Sequence, residues 1–118
     1  MQNYPQLRKE LDAKTRELKN AIPDVLRAFG QLHAAAMQEG TLSVKHKELI
    51  ALGIAIGARC DGCIAYHVRG AFAAGASESE IVECIGVAIS MGGGPSVTYG
   101  TQAYEAMQQF KDEAEKAI

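Results

Sequence analysis

The chain has 118 residues, 47% of them hydrophobic and 22% charged, and its 12 Lys and Arg against 14 Asp and Glu leave a formal charge of −2. That length suits a single domain, 1–118, able to bury roughly two thirds of its unfolded surface without disulfide staples, and excludes a second one. The composition is too apolar for disorder and too polar for a membrane protein, and without a Lys/Arg cluster it offers no footprint for nucleic acid.

Read in chain order, the apolar positions predict helices throughout. Leu7, Leu11 and Leu18 recur among charged residues from Gln6 to Lys19 as the stripe of a surface helix. Pro23 opens a second helix, in which Val25, Leu26, Phe29, Leu32 and Ala36 follow at helical spacing, and Glu39-Gly40 closes it. Ser43 is placed to cap a third, running to about Gly57, with Leu49, Ile50, Leu52, Ile54 and Ile56 leaving almost no polar face; it is expected to be buried against other helices or a subunit partner. A fourth begins at or near Cys60, continues to Ala74 and ends at Gly75. The capping box Ser77-Glu78-Ser79-Glu80 opens a fifth through Ser90, Gly92-Gly93-Gly94-Pro95 breaks the chain, and a last helix from about Ser96 to Lys116 carries Val97, Tyr104, Met107 and Phe110.

Nothing alternates with period two for long enough to form a strand, so the fold class is all-α, a six-helix bundle. The middle helices are too apolar for a monomer of this size, which predicts a homo-oligomer burying part of the third or fifth helix. The most apolar stretch, Leu49 to Ala58, is half the length a bilayer requires, and the opening MQNYPQLRKE lacks the cationic start and apolar run of a secretory signal; no membrane contact and a cytoplasmic location are expected.

Three cysteines are an odd number, so they cannot all pair within the chain as in a secreted scaffold. Cys60, Cys63 and His67 form C-x2-C-x3-H, and at about 100° per residue their side chains fall within about 60° of one another on one helix face. Cys63 and His67 are one turn apart, so the imidazole is better placed to serve Cys63 than Cys60. The free amides and dipole of a helix start favour thiolate over thiol, and two thiols three residues apart can close a disulfide with little backbone change. If the third and fourth helices form an antiparallel hairpin turning near Ala58-Arg59, Glu48 lies opposite residue 69, level with His67, where a carboxylate would orient the imidazole as a base.

Other readings of the same residues stand beside this one. Cys60, Cys63, His67 and either Glu48 or His46 could supply four zinc ligands, although structural zinc sites usually draw ligand pairs from separated loops. The CxxC could be buried packing, and Glu48 a plain surface residue. Cys84, between Val82 and Ile85, reads as a buried small hydrophobe; His33 and His46 carry no signal beyond surface or packing. The Gly92–Gly94 run lacks the GKS/T that would make it a phosphate cradle and reads as a connection. No cofactor motif is found.

The segments Lys45–Gly53, Cys60–His67 and Gly75–Ile81, with Glu48, Cys60, Cys63 and His67 spaced as E-x11-C-x2-C-x3-H, resemble the core of the AhpD-like alkylhydroperoxidase and carboxymuconolactone decarboxylase family over roughly residues 43 to 85. The resemblance implies an all-α homo-oligomer, commonly a trimer or hexamer, that reduces a small hydroperoxide or exchanges disulfides, with a thiol protein or small dithiol as reductant. It implies that Cys63 attacks the peroxide, that Cys60 resolves the sulfenic acid into a Cys60–Cys63 disulfide, and that His67 and Glu48 relay protons. The best-studied peroxidase members carry a second histidine directly before the second cysteine, where this chain has Gly62. The decarboxylase branch, a lyase that does not depend on a CxxC, would use Glu48 and His67 alone; a non-catalytic redox-sensing or metal-binding oligomer is the remaining alternative.

Overall fold

The computed structural model describes residues 1–116, so the last two residues of the expected domain lie outside it. Every regular element among the described residues is a helix: α1 (Tyr4–Ala21), α2 (Pro23–Met37), α3 (Val44–Gly57), α4 (Asp61–Ala73), α5 (Glu78–Gly92) and α6 (Gly94–Lys116). The all-α class and the six helices match the expectation from sequence.

The helix ends follow from local chemistry. Ser43 Oγ accepts the His46 amide at 3.1 Å, and Ser77 and Glu80 exchange both hydrogen bonds of the expected capping box at 3.1 and 2.9 Å. α1 starts earlier than expected because Asn3 caps it, its side chain accepting the Gln6 amide at 2.9 Å, and Pro5 is tolerated in the first turn. α6 likewise begins at Gly94 with Pro95 in its first turn, so the predicted four-residue break narrows to Gly93, whose φ of 68° only glycine adopts readily.

α3 and α4 form the expected antiparallel hairpin. Its turn is a Schellman motif: the Cys60 amide donates to Ala55 O and the Arg59 amide to Ile56 O, both at 3.1 Å, with Arg59 held at φ 56°. The same motif closes α4, where Ala76 N donates to Ala71 O, Gly75 N to Phe72 O, and the left-handed residue is Gly75 at φ 93°. Leu52 and Ile56 from α3, Ile64 and Val68 from α4, Ile81 from α5 and Met107 from α6 make the centre of the core, all of them buried. Each such side chain contributes about 1.5–3 kcal/mol through burial.

On three helices the buried face within the chain is narrower than the apolar pattern, or differs from it. On α6 the core face is Ser96, Gly100, Ala103, Met107 and Phe110, spaced four and three apart, while Val97 and Tyr104 are exposed. Small residues are needed there because α5 lies close: a Cβ at Gly100 would stand 2.9 Å from a methyl of Ile85. On α2 the apolar stripe forms but buries nothing within the chain; Phe29 and Leu32 are 62% and 65% exposed. α3 is buried on one side only, through Leu52, Ala55 and Ile56, and Ile54 is 66% exposed.

Tyr4, which carried no signal in the sequence, is fully buried; its amide donates to Gln109 Oε1 at 2.7 Å and ties the chain start to α6. α1 is fastened to α4 where the Tyr66 hydroxyl donates to Asp12 Oδ1 at 2.6 Å, and burial, then the Asp12 carboxylate, pushes that hydroxyl up to about 12.

A left-handed conformation costs a residue with a side chain about 1 kcal/mol more than glycine. Replacing Arg59 by Gly should therefore stabilise the chain by about 1 kcal/mol in urea unfolding; a loss of stability would show that the Arg59 side chain itself holds the turn.

Candidate active site

The Schellman turn places Cys60 at the N-cap of α4, and its Sγ accepts the Cys63 amide at 3.1 Å. Cys60 and Cys63 are joined as a disulfide with their Cα atoms 5.2 Å apart, both half-buried. His67 lies one turn beyond Cys63 on the same helix. His67 Nδ1 and Glu48 Oε2 are 2.8 Å apart, with both side chains largely buried.

The hydrogen-bond chemistry of this pair settles the tautomer. A carboxylate only accepts, so Nδ1 carries the proton and donates it, and Nε2 is left with its lone pair as the free basic site of the ring.

Glu48 approaches α4 closely, and a glycine is what admits it. A Cβ at Gly70 would stand 2.5 Å from Glu48 Oε2 and 2.6 Å from its carboxyl carbon. A second glycine, Gly62, is covered by α1: a Cβ there would stand 2.7 Å from a methyl of Leu11.

The structure thus brings Glu48 to His67 and Cys60 to Cys63 on one hairpin. It keeps His46 apart, its Nδ1 2.8 Å from Ser43 Oγ at the start of α3. Cys84 is a free cysteine, half-buried rather than fully buried; its thiol donates to Leu49 O at 3.0 Å, and burial raises it above the ordinary thiol range. It lies on the wall of an apolar groove of about 800 Å³ between α3 and α5, lined by Leu49, Ile50, Ile54, Val87 and Met91 and containing none of Glu48, Cys60, Cys63 or His67. No three His, Cys, Asp or Glu side chains among the described residues converge as a metal ion would require. No helix is long and apolar enough to cross a membrane.

One residue near the pair has no signal in the sequence. His33 of α2 has its ring centre 6.2 Å from that of His67, and Phe29 stacks on His33 at 6.4 Å. Only the packing of α2 beside the hairpin brings it there.

The fold coincides with that of known proteins. The family model of the carboxymuconolactone decarboxylase family matches residues 23–106, and the chain belongs to that family. Over 94 residues it is 34% identical to an uncharacterized protein of Cupriavidus necator, covering 80% of this chain and 83% of that one. Among solved structures it is similar to the apo form of a carboxymuconolactone decarboxylase family protein from Legionella pneumophila, with a TM-score of 0.88, 34% identity, and 91% and 96% of the two chains covered. A family member from Thermotoga maritima, for which an antioxidative role has been suggested, superposes with a TM-score of 0.73 and 31% identity over 77% of this chain and 94% of that one.

Replacing Gly70 by Ala should displace the Glu48 carboxylate while leaving the fold in place, since only the far end of a flexible side chain has to move. The gain in helix propensity, about 1 kcal/mol, partly offsets the lost hydrogen bond, so unfolding should shift by no more than about 1 kcal/mol. The His67 ring resonances in NMR should move as they do in Glu48→Gln; unchanged resonances would mean that Glu48 tolerates the methyl group.

Proposed function

We propose that this protein is a thiol-dependent peroxidase or disulfide reductase working through a Cys60–Cys63 cycle. The observation that carries this reading is the pairing of a joined CxxC at a helix start with a Glu48-oriented imidazole one turn away.

In the reduced protein, His67 Nε2 takes the Cys63 thiol proton, and the thiolate faces the amide donors of the α4 N-terminus. The thiolate attacks one peroxide oxygen, the O–O bond breaks, and the leaving alkoxide takes the proton from His67 to depart as alcohol. Cys63 is then a sulfenic acid. The Cys60 sulfur attacks it, forming the S–S bond and releasing hydroxide, which leaves as water once protonated. A dithiol reductant, small or protein-borne, attacks the disulfide and returns both thiols. The sum is one hydroperoxide and two thiols consumed, one alcohol, one water and one disulfide formed.

The lyase alternative would need only Glu48 and His67. It predicts that replacing both cysteines by serine is nearly silent.

The protein is further proposed to act as a homo-oligomer. Met91 is 84% exposed on the α3–α5 groove, and with Ile50, Ile54 and Val87 it makes more contiguous apolar surface than a monomer of this size usually presents. Light scattering coupled to size exclusion should give a mass of several times 12.6 kDa, and a clean monomer at micromolar concentration would refute it.

Cys63→Ser should abolish consumption of an organic hydroperoxide in the presence of dithiothreitol, and Cys60→Ser given peroxide without any thiol reductant should stop at a trappable sulfenic acid. Wild-type turnover by Cys63→Ser would overturn the peroxidase reading.

A further inference from the structure

The peroxidase cycle proposed above asks His67 for a proton twice, once for the departing alkoxide and once for the departing hydroxide. The first comes from the Cys63 thiol. For the second, His67 has to be protonated again between the two steps, while its Nδ1 is occupied by Glu48 and the pair is largely buried between α3 and α4. With the His67 side chain 19% exposed, an outer group that hands it protons from bulk water would speed that return.

A side chain on α4 beside the cysteines does not provide it. Position 62 is glycine, and Leu11 of α1 fills the space into which a larger residue there would project. The second imidazole at this place comes from another helix. His33 of α2 has its ring centre 6.2 Å from that of His67, with the ring planes inclined at 42° and no direct hydrogen bond between them. That gap suits one bridging water, which conducts protons between two imidazoles as well as a direct contact orients them. His33 is exposed where His67 is not, and Phe29 stacks on its ring and limits where it can turn.

We propose that His33 is the outer imidazole of the site, a positioning residue for protons that links His67 to solvent and rests on the peroxidase reading above. On becoming the attacking thiolate, Cys60 releases its proton to solvent. One proton returns through His33 and the bridging water to His67 Nε2, and from there to the hydroxide that leaves Cys63. Charge and protons balance, and the role requires no contact between His33 and the peroxide.

The test uses the full-length protein with tert-butyl hydroperoxide and dithiothreitol, comparing wild type, His33→Ala, His33→Gln and Cys63→Ser. In His33→Ala, kcat should fall about tenfold, within the range of lost proton transfer, while KM for the peroxide stays within about twofold. Free imidazole in the buffer should restore most of that loss. His33→Gln, which keeps bulk and polarity but carries no proton, should be as slow as His33→Ala. A wild-type kcat in His33→Ala overturns the proposal, and so does a loss that glutamine repairs and imidazole does not, which would mark His33 as packing. If Cys63→Ser is inactive in those cases, the peroxidase reading stands and His33 alone fails. An active Cys63→Ser overturns both.

Discussion

The register of the α3–α4 hairpin is the constraint on which the rest of the site depends. A three-residue connection ending in a Schellman motif leaves little freedom in how far α4 slides along α3, so fixing Ala55 O on the Cys60 amide also fixes Glu48 against His67 about two turns away. One residue more or fewer in that turn would rotate Glu48 by about 100° around α3 and move it off the imidazole. The same turn delivers Cys60 to the N-cap of α4, so a single backbone device sets the cysteine pair and its base together.

The surroundings of the hairpin follow from how closely its helices approach. Gly70 admits the Glu48 carboxylate, and Gly100 admits α5 against α6. Salt bridges at the rim, such as Lys45 with Glu80 at 2.9 Å, contribute little stability where they are exposed. The bundle is held by the apolar centre around Leu52, Ile56, Ile64, Val68 and Met107. α2 stands apart from that centre. It contributes almost nothing to the core, yet it is the helix that brings the His33 ring within 6.2 Å of that of His67.

The Glu48–His67 pair also sets the Cys60–Cys63 end of the hairpin apart from the rest of the chain's apolar surface. The groove between α3 and α5 is apolar and holds a cysteine, but burial raises the Cys84 thiol above the ordinary thiol range. Cys60 and Cys63 have helix amides and an oriented imidazole; Cys84 has a backbone carbonyl to donate to. On the proposed thiol cycle, reactivity is decided by the neighbours of sulfur and not by its accessibility.

Much was legible in the amino-acid order because it depends on neighbours a few positions apart. Caps at Ser43 and Ser77, the breaks at Gly75 and Gly93, and the common helical face of Cys60, Cys63 and His67 are local consequences of backbone geometry and hydrogen bonding. Even the meeting of Glu48 with His67 could be worked out, since a short turn makes a hairpin nearly a one-dimensional problem. The core face of α6 was not legible: Ser96, Gly100 and Ala103 are small, and a stripe of small residues has no hydropathic signal until a neighbouring helix presses on it. Nor were the burial of Tyr4, the bare face of α2 or the approach of His33 to His67, because each depends on where a helix docks after a flexible connection. By itself the sequence determined the helices, most of their ends and the spacing of Cys60, Cys63 and His67 at α4. Only the tertiary structure decided which faces are buried and which distant imidazole stands beside His67, because those choices belong to packing between helices far apart in the chain.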